Sequence, residues 1–360
     1  MTAPSATAGP PERPAIPGIV VRSPREALSA RVPARPVLAG TALALVTLAL
    51  AVVAIGSGDY PVSPREVVDT LLGGGTQATS FIIETLRLPR VLCALLVGAA
   101  LGVSGALFQS LTNNPLGSPD IVGFTQGSAT GALVVITILG GSGLEVSAGA
   151  LAGGALCATL VYALAYKRGV SGYRLVLVGI GISAMALAAN DYLLTRARIE
   201  EAVQATVWLV GSLNGRGWEH VRPLAATLVV LLPAALLLAR PLRLLEMGDD
   251  AARALGLRVE PARVAIVLVA VALVAVATTA AGPIGFVALA APQLARRLAR
   301  LANPGIATSA LMGAALLLAS DIVAQRLPNE MQLPVGLMTG MTGGVYLAWL
   351  LVAERRRGRG

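Results

Sequence analysis

Residues 91–119 read VLCALLVGAALGVSGALFQSLTNNPLGSP, twenty-nine residues without one charged side chain. An α-helix rises about 1.5 Å per residue, so about 20 mainly apolar residues cross the ~30 Å hydrocarbon core of a bilayer. The signature recurs on both sides of this stretch. Uncharged runs occupy 36–58, 121–144, 146–166, 223–239, 264–295, 301–320 and 331–353. Composition agrees: 55% of the 360 residues are apolar and 13% charged, against roughly 25% charged in soluble domains. A soluble enzyme, a secreted disulfide scaffold and a disordered chain are excluded. The fold class is all-α, a polytopic membrane protein of about ten transmembrane helices.

The ten spans are expected near 38–58, 89–110, 121–140, 145–166, 174–194, 223–240, 262–281, 285–302, 305–323 and 334–352. The uncharged piece 202–215 is too short to cross and is placed outside the membrane. The chain divides into a disordered cytoplasmic tail (1–36, holding eight of 22 prolines), a membrane domain (37–353) and a short basic cytoplasmic tail (354–360). The net charge of +9 lies in short segments between spans, as topology rather than nucleic acid requires. With the N-terminus in the cytoplasm, the inner segments hold 20 of the 28 basic residues and the outer ones eight. Both termini are therefore expected in the cytoplasm.

Small residues recur four apart, as in Gly98/Gly102, Gly127/Gly131, Gly149/Gly153 and Gly340/Gly344. Such pairs let helix backbones approach closely, and packing within one subunit is the reading preferred over a dimer face. Cys93 and Cys157 lie inside apolar runs and read as packing residues, not a disulfide or metal site. His220, the single histidine, reads as solvated beside Glu219. No expected span has a carboxylate at its middle, where ion-coupled carriers place one. Lys167, the only lysine, is followed by Arg168, so no P-loop is present. Any ATP must act on another chain. One inner-facing feature could receive it. In GDDAARALG (248–256), Asp249 or Asp250 can cap a helix that Gly256 ends, with Ala251 and Leu255 between them. That short helix is a docking element or a plain connector.

Four stretches carry a resemblance. RLPRVLCALLVGAALGVSGALFQSLTNNPLGSPDIVGF (87–124), GDDAARALG (248–256), AGPIGFVALAAPQLARRL (281–298) and SDIVAQRLPNEMQLPVG (320–336) closely resemble the signatures of the iron-siderophore and vitamin B12 family of ABC importer permeases. GSLNG (211–215) and RLLEMGDDAARALG (243–256) are most similar to its ferric enterobactin branch. The resemblance implies the B12-importer-like (type II) fold and a transport subunit that is not itself an enzyme. It implies two ATP-binding partner chains beneath and a siderophore-binding protein on the outer face. It further implies a second homologous permease subunit, read here as a heterodimer partner, with no directly bound cofactor and a cargo containing iron(III). A vitamin B12 or haem importer of the same family, and an ion-coupled secondary transporter, are the alternatives.

Residue by residue, the family's coupling helix matches Gly248, Asp249, Asp250, Ala251, Leu255 and Gly256. Its docking arginines match Arg87 and Arg90, which could otherwise be snorkelling anchors. A third docking arginine is carried by Arg326, one residue beyond the family's usual place at Gln325. The cytoplasmic gate would fall at Ser171, Gly172 and Tyr173, although small hydroxyl residues are usual where Tyr173 stands. Gln293 and Gln332 replace a His and a Glu common among relatives.

Overall fold

A computed structural model describes residues 19–22, 29–32, 34–58, 60–120, 122–167, 169, 172–327 and 333–357. Within the N-terminal tail, β1 (Ile19–Arg22) and β2 (Ser29–Val32) pair antiparallel. The rest is helical. In chain order the helices are α1 (Ala34–Gly56), α2 (Pro64–Leu71), α3 (Gln77–Ser80), a π-helical turn (Phe81–Arg87), α4 (Leu88–Thr112), α5 (Phe124–Thr137) and α6 (Leu144–Ala165). They continue as α7 (Gly172–Arg196), α8 (Ile199–Val210), α9 (Trp218–Leu237), α10 (Ala239–Glu246), α11 (Asp249–Ala254), α12 (Val259–Ala281), α13 (Val287–Ala299), α14 (Ile306–Arg326) and α15 (Val335–Arg357).

Each of the ten expected spans has its helix. Among the described residues, α1, α4, α6, α7, α9, α12 and α14 are long and apolar enough to cross a membrane. α15 has 23 residues but a less apolar sequence. α5 and α13 differ from expectation: with 14 and 13 residues they are about 20 Å long, short of a full crossing. The uncharged runs there continue as non-helical backbone. Pro115, Pro119, Gly117 and Gly123 break the chain before α5, and Gly282, Pro283 and Gly285 break it before α13. Hydropathy counts apolar residues and does not see that break. Ser118, Val122 and Ile284 in these connectors are buried, which is where irregular backbone is tolerated at membrane depth.

α4 is the central column, touching α9, α12, α13 and α14. Its glycines explain how. Gly98 lies against the backbone of Gly313, Gly102 against Ser309 and Gly313, and Gly105 against Ala288; any Cβ there would meet backbone atoms. α5 and α6 cross likewise through Gly127, Gly131, Gly149 and Gly153. Three of the four small-residue pairs therefore pack within the subunit, and the fourth, Gly340/Gly344, has nothing within 4 Å. Polar bonds reinforce the column. Ser104 Oγ donates to Ala270 O at 2.7 Å, and Gln109 Nε2 donates to Leu289 O at 3.0 Å. Gln293 Nε2 donates to Gln109 Oε1 at 2.5 Å, so the glutamine that departs from the family pattern ties α13 to α4. Cys93 and Cys157 are buried and unpaired with each other.

At the outer end, as the arginine bias names it, Arg90 of α4 grips Asp321 of α14. Nε lies 3.0 Å from Oδ2 and Nη2 lies 2.8 Å from Oδ1, and Asp321 is fully buried. Gln325 Nε2 adds a third donor to Oδ2 at 2.7 Å.

Two outcomes follow from this seam. Gly102→Leu drives a side chain into the Ser309 carbonyl and should cost about 1–3 kcal/mol by overpacking. Gly181→Ala, with nothing within 4 Å, should be neutral. Thermal melting in detergent separates them. Arg90→Gln strands a buried carboxylate and should cost about 3–5 kcal/mol; adding Asp321→Asn should recover part of that in the same melt.

Candidate functional site

The inner end carries the element singled out from sequence. Gly248, at φ 97°, turns the chain from α10 into α11. Asp249 and Asp250 begin α11 but make no side-chain cap to it. Arginines take their oxygens instead: Arg253 Nη1 lies 2.9 Å from Asp250 Oδ1, and Arg263 Nη2 lies 2.7 Å from Asp249 Oδ1. The expected N-cap is corrected to that extent. The carboxylates still sit in the first turn, where they offset the helix dipole. The other end is as expected. Gly256 takes φ 82°, its N–H donates to Arg253 O at 2.9 Å, and Leu257 N–H donates to Ala252 O at 3.0 Å. This paired closure stops the helix after one and a half turns. Ala252 is buried inward, while Met247 and Leu255 stand 64% and 59% exposed. Ala251 is half-buried between them. The result is a short, rigidly bounded helix whose outward face is small and apolar, rimmed by charge.

The proposed gate lies on the same side. Ser171 is outside the described residues. Gly172 begins α7 packed against Thr112 of α4, and Tyr173 is 77% exposed.

At the outer end the three candidate arginines have different surroundings. Arg87 donates from Nη1 to Ile55 O at 2.8 Å and from Nη2 to Tyr60 O at 2.6 Å, holding the turn that follows α1. Arg90 is the partner of Asp321 described above. Arg326 is exposed at the end of α14, where Nη2 donates to Ser57 Oγ at 3.1 Å. The structure thus brings Arg87 and Arg326 to the same turn, residues 55–60, and directs Arg90 inward. Gln332 lies outside the described residues.

His220 is not freely solvated. Arg216 Nη1 stands 2.9 Å from its Nε2 and Glu219 Oε1 stands 3.1 Å from its Nδ1. Burial pushes the Arg216 guanidinium below its ordinary pKa. Sequence reasoning missed this group because the turn at Gly215, φ 66°, sets Arg216 beside the first turn of α9. The Arg-x-x-x-His spacing was the available signal. Five outer arginines remain exposed: Arg65, Arg196, Arg198, Arg222 and Arg326. Among the described residues no cluster of His, Cys, Asp or Glu could hold a metal ion.

The chain resembles known proteins over nearly all its length. It is 46% identical over 301 residues to the ferric enterobactin transport system permease protein of Escherichia coli (strain K12), covering 84% of this chain and 91% of that protein. It is 37% identical over 317 residues to the achromobactin transport system permease protein of Dickeya dadantii (strain 3937), covering 86% and 90%. A solved inward-facing structure of a metal-chelate type ABC transporter superposes with a TM-score of 0.77 at 29% identity, covering 88% of this chain and 99% of that chain. The model of the FecCD transport family matches residues 38–353, the span from the start of α1 to the last turns of α15. The chain therefore belongs to the FecCD transport family, as a membrane permease subunit of an ABC importer and not an enzyme.

Proposed function

We propose that this permease moves a ferric catecholate siderophore across the cytoplasmic membrane, driven by ATP hydrolysis on partner chains that push on α11. The observation that carries the ATP-driven part is α11 itself: a short helix closed by Gly248 and Gly256, with Met247 just before it and Leu255 at its C-cap both exposed. Apolar side chains held exposed on a short rigid helix suit a groove on another protein. Two ATP-binding subunits would sit beneath a pair of permeases, with this chain beside a related, different one. Both termini would then be cytoplasmic, with the 1–36 and 354–360 tails on that side. The gate at Ser171, Gly172 and Tyr173 would lie between α11 and the pathway. The 46% identity to an enterobactin permease, against 33% to the hemin permease of Yersinia pestis, favours the siderophore over haem. The exposed arginines Arg65, Arg196, Arg198, Arg222 and Arg326 would favour an anionic cargo or an acidic binding protein.

Docking of the binding protein is assigned to Arg326 and Arg87 around the 55–60 turn. Arg90 is assigned to the clamp that holds α4 and α14 beneath them.

Leu255→Asp puts a charge into the apolar contact and should cost at least about 2 kcal/mol, about thirtyfold in binding. The ATP-binding subunits should fail to co-purify while the permease stays folded. Normal co-purification and transport would remove α11 from the docking role. Arg326→Glu should slow association of the binding protein about tenfold and flatten its salt dependence. Unchanged association in reconstituted membranes would reduce Arg326 to a surface charge. Uptake of radiolabelled iron by vesicles holding the assembly, with catecholate, hydroxamate, haem and B12 compared, tests the cargo. Uptake of haem or B12 with no response to any siderophore would overturn it.

A further inference from the structure

α11 is not a loose appendage beneath the bundle. Asp249, its first residue, is held by Arg263, which stands one turn inside α12 and is 7% exposed. The guanidinium serves two carboxylates at once. Nη2 lies 2.7 Å from Asp249 Oδ1 and Nη1 lies 2.7 Å from Glu260 Oε1. Asp249 also faces Arg253 of its own helix, at 3.8 Å from Nη2 to Oδ2. Glu260 in turn stands against the turn between α6 and α7: a Cβ built on Gly169 would lie 2.8 Å from Glu260 Oε1. Arg174, at the start of α7, closes that turn by donating to Lys167 O at 3.0 Å and Gly169 O at 2.7 Å. Polar bonds thus run from α11 through Arg263 to Glu260 of α12, and the Glu260 carboxylate packs beside Gly169 in the segment before α7. α12 is itself bonded to α4 through Ser104.

We propose that Arg263 is a positioning residue for transport. It is the latch by which a displacement of α11 moves α12 and the α6–α7 turn together. This rests on α11 being the element that the ATP-binding subunits push. The chemistry of the side chain supports the role. A planar guanidinium presents two donors in fixed relation, so it holds two carboxylates from different elements at a set angle. A lysine ammonium keeps the charge but lacks the fork. The guanidinium is buried while the Asp249 and Glu260 side chains stay 41% and 36% exposed, so the arginine is the fixed member of the contact. Besides the latch, α11 is joined to α12 by the packing of Ala252 and by the four residues 255–258, which include Gly256 at positive φ. Such a linker bends before it pulls.

The test uses the full assembly in vesicles and reads iron delivered per ATP hydrolysed, with co-purification of the ATP-binding subunits and thermal melting as controls. Arg263→Gln should keep the subunits bound and ATP hydrolysis running while iron per ATP falls roughly tenfold. Arg263→Lys should fall less, because the charge remains. Asp249→Asn should act in the same direction. The double variant Asp249→Asn with Arg263→Gln should be no worse than Arg263→Gln alone, since the two act as one unit. If Arg263→Gln does not insert, Arg263→Lys decides alone. Normal iron per ATP in the folded Arg263 variant, or losses that multiply in the double variant, would overturn the latch. The underlying reading fails separately. Subunits that stay bound to Leu255→Asp would sink docking at α11. Their release from that variant, with Arg263→Gln coupling normally, would sink only the latch.

Discussion

The bundle depends on how closely α4 approaches its neighbours. Between two helices in lipid there is no hydrophobic effect to collect, because acyl chains are as apolar as leucine. Cohesion must come from backbone contact and from polar groups that have nowhere else to bond. Gly98, Gly102 and Gly105 supply the first against α14 and α13. Ser104, Gln109 with Gln293, and Arg90 with Asp321 supply the second at successive heights. Each polar bond crosses from α4 to a different partner, so α12, α13 and α14 are all registered against one column.

That registration makes the two short helices possible. α5 and α13 each begin after buried, non-helical backbone, which would be prohibitive if exposed to lipid. The connectors are shielded by their neighbours: Gly179 of α7 sits against Val122, Gly123 against Ser183, and Gly211 after α8 against Pro283. Only glycine fits at such points, and Gly123 also takes a positive φ of 90°. The glycines of these segments therefore serve two ends, close approach and sharp reversal.

Much of this could be read from sequence, for physical reasons. Uncharged length located all ten helices, since the bilayer sets that length. The arginine bias is the basis on which the two ends are called inner and outer. Gly256 marked the end of α11 because positive φ is costly for other residues, whereas its start, read as an aspartate cap, lies at Gly248. What could not be read was partnership across the chain. Arg90 looks like any outer arginine until Asp321, 231 residues later, is seen to face it. Arg263 looks like a charge at the start of a span, yet it holds Asp249 and Glu260 together. The shortness of α5 and α13 was hidden because Ile284 or Val122 is as hydrophobic in a loop as in a helix. The prolines and glycines between them held the signal, but hydropathy gives them no weight.

The outer and inner ends thus divide the work. The outer turn at 55–60 is stiffened by Arg87 and Arg326, while the inner end ties α11 to the bundle through one buried guanidinium. The central claim is that ATP hydrolysis on partner chains, received at α11, drives iron across the membrane. The most direct measurement is uptake of radiolabelled ferric catecholate into vesicles of the complete assembly. ATP would be present or absent on the α11 side, with or without an imposed proton gradient. The account predicts uptake that requires ATP and ignores the gradient. Uptake driven by the gradient with no ATP present would contradict it.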